Sequence, residues 1–125
     1  MKYVILLLVL TFLMLPIYLV DSVSKVRYIR LFKCPSKTIA YKNSIIFAGN
    51  LSNLGNDKLT KVYFEYGRSK DLGIRTPIYT LKNPGIFCIK VINLTPCTTY
   101  YYRAVAQNSA GTNYGEIKEI KTKCK

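Results

Sequence analysis

The chain contains no histidine and no tryptophan among its 125 residues, and only six residues are acidic. Enzymes need positioned acids, bases or nucleophiles, and histidine is the side chain that most often supplies them near neutral pH. A glycine-rich phosphate loop and a nucleophile elbow are also missing from the sequence. We therefore expect no catalytic residues and no cofactor, and we predict that the protein is not an enzyme.

Cysteine is scarce, and all four cysteines follow the first twenty residues: Cys34, Cys88, Cys97 and Cys124. No Cys-x-x-Cys pair is present and there is no histidine, which argues against a zinc site. An even number of cysteines in an exported domain favours two disulfides, although buried unpaired thiols are an alternative. Four cysteines allow three pairings, and spacing alone does not choose among them.

The chain begins with a long, mainly apolar segment, residues 3–20, preceded by Lys2. Residues 3–20 contain no charge, and as a helix they would extend about 27 Å, close to the thickness of the bilayer core. We predict that residues 1–22 form a hydrophobic helix, either a cleaved signal peptide or a retained membrane anchor, and that residues 23–26 are a linker. The basic residues after the helix oppose an outward-facing anchor, whereas Val20-Asp21-Ser22 is a weak cleavage site. Either fate predicts a cell-surface or extracellular protein.

The net charge is +13, from 19 basic and six acidic residues. Such an excess would suit an anionic surface polymer or lipid headgroups as a partner. We favour the simpler interpretation, in which the charge only keeps a surface next to a membrane soluble. No nucleic-acid-binding motif accompanies the charge, so we expect no nucleic acid partner.

Beyond residue 26 the apolar residues alternate with polar ones, which is typical of half-buried β-strands. We predict seven strands in a β-sandwich domain spanning residues 27–125, with a loop at 67–77. The predicted strands are 27–34, 44–51, 61–66, 78–81, 85–94, 98–107 and 114–122.

Alternation also predicts which side chains face the core. Tyr100 and Tyr102 stand at one end of an inward face, with Ala104 and Ala106 at the other, so we expect a core that narrows along this strand. The other residues predicted to face inward are Ile45, Phe47, Gly49, Val62, Phe64, Tyr66, Phe87, Ile89 and Val91.

A proline-marked turn precedes the strand that carries three consecutive tyrosines. The spacing Leu94-x-Pro96-x-Thr98-x-Tyr100 places a tyrosine just past a turn between two sheets. Such a tyrosine can bury its ring and return its hydroxyl to an unpaired backbone group, forming a tyrosine corner. Tyr100 is the candidate.

Three segments together resemble the fibronectin type III family, in particular the variant found in microbial surface proteins. They are Val62-Tyr63-Phe64-Glu65-Tyr66-Gly67, then residues 94–104, then Asn108-Ser109-Ala110-Gly111-Thr112-x-Tyr114-Gly115. The resemblance covers about residues 27–123. It implies a seven-stranded, immunoglobulin-like Greek-key sandwich, with strands A, B and E in one sheet and C, C′, F and G in the other. The chain lacks the Arg-Gly-Asp tripeptide of integrin-binding members, so that function is not carried over.

The topology implied by the resemblance also suggests a disulfide pairing. In such a sandwich the A–B loop, the E–F corner and the end of strand G lie at the same end. We therefore predict a Cys34–Cys97 bond, with Cys88–Cys124 as the remaining pair.

The outer face of the C–F–G sheet is the candidate binding face. Tyr63 and Glu65 on one strand should neighbour Tyr101, Arg103 and Val105 on the next. Exposed tyrosine and arginine are enriched at interaction hot spots. The alternative is that these are ordinary cross-strand pairs that stabilise a solvent-facing sheet.

Two functional hypotheses follow from these features. The first is a non-enzymatic membrane-anchored or secreted surface protein, whose single domain mediates adhesion or contact with a protein partner. The second is a structural subunit of a surface filament, pilus-like or envelope assembly. There the apolar helix would self-associate as the assembly core, and the sandwich would be displayed outside.

Overall fold

The computed structural model describes residues 28–30 and 33–125. The predicted hydrophobic helix and linker, residues 1–26, lie outside the described residues. Within the described part, every regular element is a β-strand, and there is no helix that could cross a membrane. The ten strands are β1 (Tyr28–Arg30), β2 (Ile39–Ala40), β3 (Ile45–Leu51), β4 (Thr60–Gly67), β5 (Ile74–Arg75), β6 (Tyr79–Leu81), β7 (Gly85–Val91), β8 (Thr99–Asn108), β9 (Gly111–Tyr114) and β10 (Lys118–Lys121).

The strands form two antiparallel sheets. The four-stranded sheet has the order β1-β7-β3-β2. The six-stranded sheet has the order β10-β8-β4-β5, with β6 also pairing with β4 and β9 with β8. The predicted all-β antiparallel class is confirmed.

The core lies between the sheets, and Phe47 of β3 stands at its centre. Its ring centroid is 5.6 Å from that of Phe64, 5.4 Å from Tyr66 and 4.8 Å from Tyr102, all on the opposite sheet. Tilted ring pairs at such separations are favourable beyond the area they bury. The core therefore consists of the inward faces that alternation predicted: Ile45, Phe47, Val62, Phe64, Tyr66, Phe87, Ile89, Val91, Tyr100 and Tyr102 are all buried.

The first and last predicted strands are arranged differently from the expectation. The first strand was expected over residues 27–34 in the sheet of strands A, B and E; β1 lies in the four-stranded sheet, where it pairs with β7, with Tyr28 opposite Val91. The edge beside β3 is taken by β2, which is only two residues long. The last predicted strand is divided: β9 and β10 pair with opposite halves of β8, with Gly115 donating its N–H to Ala104 between them.

The two disulfides correct the predicted pairing. Cys34 is bonded to Cys88 and Cys97 to Cys124, so none of the four is a free thiol. Phe87 and Ile89 point into the core, so Cys88 points out of the four-stranded sheet, where it meets the chain between β1 and β2.

Backbone hydrogen bonds explain the second pair. The Cys97 N–H donates to Lys123, and the Thr122 N–H donates to Thr98, which places Cys124 beside the turn before β8. The prediction failed because it assumed that residue 34 lay in an A–B loop, whereas the chain there is crossing the outer face of the sheet.

Removal of the two disulfides should have different effects because the loops they close differ in length. The Cys34–Cys88 bond separates its partners by 54 residues and the Cys97–Cys124 bond by 27. The chain-entropy model gives losses of about 4 kcal/mol for Cys34→Ser/Cys88→Ser and about 3.5 kcal/mol for Cys97→Ser/Cys124→Ser. Equilibrium denaturation measures both losses. Non-reducing peptide mapping is the control, and a peptide joining Cys34 to Cys97 would contradict the structure.

Candidate functional site

The register between β4 and β8 brings the predicted binding residues together. Tyr63 lies opposite Val105 and Glu65 lies opposite Arg103, while Tyr101 lies opposite Gly67. Residues directly opposite in an antiparallel pair share a face of the sheet. All five predicted residues therefore stand on the outer face of the six-stranded sheet.

Neighbouring strands add two residues that the sequence did not suggest. Arg75 of β5 lies opposite Glu65, and Tyr114 of β9 lies opposite Val105. We call the combined set the tyrosine–arginine face. It consists of Tyr63, Glu65, Arg75, Tyr101, Arg103, Val105 and Tyr114.

Arg103 is at the centre of this face and makes two kinds of contact. Its Nε and one terminal nitrogen each lie 2.7 Å from a Glu65 carboxylate oxygen. Its guanidinium also lies 4.1 Å from the centre of the Tyr114 ring, which is cation–π geometry. Two such contacts restrict the arginine to one conformation, so its remaining N–H groups are presented in a fixed position.

The exposure of the face differs from the expectation. Tyr63 is only 5% exposed and Val105 only 1%, so neither is an accessible binding residue. The Arg75 guanidinium stands 5.3 Å above the Tyr63 ring and helps to cover it. Tyr114 is 55% exposed, and Tyr101 and Arg103 are half-buried. The accessible part of the face is therefore displaced toward Arg75 and Tyr114.

A shallow depression of about 310 Å³ lies beside Arg103. It is bounded by the Glu65–Arg103 ion pair, by Asp71 and Arg75, and by Leu72, Gly73 and Ile74 between them. This loop folds close to the end of β4: a Cβ at Gly67 would stand 1.7 Å from the Leu72 carbonyl oxygen. Only glycine fits at position 67. Gly67 follows the alternating residues 61–66 in the sequence. This glycine was the sequence feature that indicated a loop folding back against the sheet.

Thr76 fastens the other end of the same loop. Its side-chain hydroxyl accepts a hydrogen bond from the Phe64 N–H at 2.9 Å, and its own N–H donates to the Phe64 carbonyl at 2.9 Å. Thr76 is 3% exposed. Arg75 is thus held over Tyr63 by a buried hydrogen-bonded neighbour.

Tyr100 has the geometry of a tyrosine corner. Its side chain is 4% exposed, and its hydroxyl accepts a hydrogen bond from the Thr95 N–H at 3.0 Å. Burial disfavours the phenolate, but the hydrogen bond from Thr95 and the nearby Arg68 cation outweigh burial and hold the pKa of Tyr100 below its usual value. The turn before β8 is thereby tied to the strand that follows it.

Tyr100→Phe should destabilise the fold by about 1–2 kcal/mol, because the Thr95 N–H loses its partner while the ring remains buried. The matched control is Tyr101→Phe, which removes the same atom from the half-buried outer side of the strand. Its cost should be below about 0.5 kcal/mol. Urea denaturation of both variants measures the difference, and equal stabilities would show that the corner hydrogen bond contributes nothing.

A second depression opens where the core was expected to narrow. A cleft of about 540 Å³ lies between the sheets at the alanine end of β8, lined by Leu51, Phe87, Ala104 and Ala106 together with residues 111–115. Asp57 fastens the adjoining turn, because its carboxylate accepts hydrogen bonds from the Ser109 hydroxyl and N–H at 2.6 and 2.7 Å. These bonds lower the pKa of Asp57.

Comparison with solved structures identifies the architecture. The chain is similar to the solution structure of the fibronectin type-III domain of human fibronectin type III domain containing protein 3, with 21% identity and a TM-score of 0.50. The match covers 73% of this chain and 88% of that one. No family model and no curated protein matches the sequence. The fold is therefore fibronectin type III-like, with β1 as an additional strand on the far edge of β7.

Proposed function

We propose that the chain is a non-enzymatic surface protein, membrane-anchored through residues 3–20 or secreted, whose domain binds another protein through the tyrosine–arginine face. The observation that carries the proposal is the fixed Arg103, which ion-pairs with Glu65 and stacks on Tyr114. Tyrosine and arginine contribute most to binding where they are held in place, because little side-chain entropy is then lost on association.

Several features support the surface location. The two disulfides favour an oxidising compartment, and the apolar residues 3–20 would direct the chain to or across a membrane. The segments that resemble the microbial variant of the fibronectin type III family, residues 94–104 and 108–115, form the corner and the β8–β9 hairpin. We propose adhesion or protein contact in that setting, with no catalytic step.

Arg103→Ala and Tyr101→Ala should each weaken binding of a surface-protein partner by tenfold or more, the size typical of a hot-spot residue. The measurement is quantitative binding of the full-length chain to partners captured from a cell-surface extract. Lys82→Ala and Ile86→Ala are matched controls, because both residues are exposed and lie away from this face. Thermal melts of every variant separate lost binding from lost folding. Unchanged affinity of the two face variants for every captured protein would refute the proposal.

A structural subunit of a surface assembly remains the alternative function, with self-association through the apolar segment. Sizing of the full-length chain in detergent distinguishes the two. A monomer supports the protein-contact function, whereas a discrete oligomer that survives Arg103→Ala supports assembly through residues 3–20.

A further inference from the structure

Acidic residues are absent from one side of the domain. The five acidic residues of the described part are Asp57, Glu65, Asp71, Glu116 and Glu119. Four of them lie in the six-stranded sheet or in the segments that connect its strands, and Asp57 lies in the connection from β3 to β4, at the end of the domain opposite Tyr41. The four strands of the other sheet contain no carboxylate, and neither do the connections between β1, β2 and β3. The basic residues of these strands and connections therefore have no carboxylate in the same sheet to balance them.

Two lysines, one on β7 and one in the segment after β10, converge on one exposed tyrosine. The Lys90 ammonium of β7 lies 5.8 Å from the centre of the Tyr41 ring, and the Lys123 ammonium lies 6.0 Å from it. Tyr41 is 42% exposed. A phenol ring between two ammonium groups presents hydrogen-bond donors and positive charge at the same place.

The position of Tyr41 is fixed by backbone hydrogen bonds from three segments. The Tyr41 N–H donates to the Ser44 carbonyl at 2.8 Å, and the Lys123 N–H donates to the Tyr41 carbonyl at 3.0 Å. The Leu94 N–H donates to the Asn43 carbonyl at 2.9 Å in the same turn. The ring and its two lysines are therefore held by a turn, a strand end and the C-terminal segment together.

Exposed isoleucines adjoin this cluster. Lys90 lies between Ile29 on β1 and Ile46 on β3, and Ile39 of β2 lies opposite Ile46, so the four form one row across the outer face. Ile29 is 40% exposed and Ile39 is 38% exposed. Apolar side chains beside lysine and tyrosine are typical of surfaces that rest at a membrane interface.

The same end of the domain is where the chain arrives from its apolar N-terminal segment. β1 begins at Tyr28, opposite Val91, at the end of the sandwich that carries Tyr41. Residues 21–27 separate Tyr28 from the apolar segment, and seven residues span at most about 25 Å. A membrane that held residues 3–20 would therefore lie within reach of this surface.

We propose that Ile29, Ile39, Tyr41, Lys90 and Lys123, which we call the tyrosine–lysine surface, dock the domain onto the phosphate headgroups of an anionic lipid bilayer. The lysines and the tyrosine hydroxyl bind the phosphates, and the isoleucines rest among the adjoining apolar groups. This inference rests on the proposed membrane anchorage. It adds a fixed orientation, with the four-stranded sheet toward the lipid and the tyrosine–arginine face directed away from it.

Lysine footprinting on vesicles tests the orientation. The full-length chain is reconstituted into phosphatidylcholine vesicles with or without phosphatidylglycerol, and acetylation of each lysine is followed by mass spectrometry. A lysine near an anionic surface contributes about fivefold in affinity. We expect Lys90 and Lys123 to react several-fold more slowly in the anionic vesicles. Lys58 and Lys82, in connections of the opposite end, are internal controls and should react equally in both.

Two double variants with the same change in net charge provide a second test of the docking surface. We also expect slower acetylation in the anionic vesicles at Lys42, which follows Tyr41 in the chain. Lys90→Glu/Lys123→Glu should abolish this slowing, whereas Lys58→Glu/Lys82→Glu should leave it intact. Inorganic phosphate added to neutral vesicles should not reproduce the slowing. If it does, the surface binds free phosphate rather than a bilayer, and the docking proposal is overturned.

Failure of anchorage and failure of docking give different results. A chain that does not sediment with vesicles of either composition refutes anchorage through residues 3–20. The chain could instead sediment with both kinds of vesicle while Lys90 and Lys123 react at the same rate in both. That result would support anchorage and refute the docking surface.

Discussion

The contact between Phe47 and three rings of the opposite sheet is the interaction on which the remaining structure depends. It fixes which face of β3 is buried, and through Phe64, Tyr66 and Tyr102 it fixes the buried faces of β4 and β8 as well. Because side chains alternate along a strand, fixing the buried faces also determines which residues face outward. A shift of one residue in β8 would bury Arg103 and expose Tyr102. The tyrosine–arginine face and the aromatic core are thus two consequences of a single register.

Alternation was sufficient to predict the core and the outer row of the candidate site, because both depend only on the period of the strand. Alternation did not predict which strand β1 pairs with, because a strand of three residues pairs equally well with either edge of a sheet. In the structure β1 lies on β7, the strand to which the Cys34–Cys88 bond ties the chain that follows β1, and that bond joins residues 54 positions apart. Disulfide pairing failed for the same reason: it depends on the path of the connecting chain, which has no periodic pattern.

Strand alternation also did not predict that Tyr63 and Val105 are buried. Both residues face outward as expected, but Arg75 of β5 lies over the Tyr63 ring and Tyr114 of β9 lies opposite Val105. The two outer surfaces of the sandwich consequently differ in character. On the six-stranded sheet Arg103 is ion-paired with Glu65, whereas the strands of the four-stranded sheet carry Lys90 and no carboxylate.

The two disulfides also determine how the domain responds to mechanical tension. If tension is applied between Tyr28 and the C-terminus, the covalent path runs from residue 28 to Cys34, across to Cys88, on to Cys97, and across to Cys124. Residues 35–87 and 98–123 lie inside closed loops and cannot be drawn out while the bonds are intact. Almost all of the sandwich is therefore shielded from a pull, and the domain acts as a short, nearly inextensible link that lengthens substantially only after reduction.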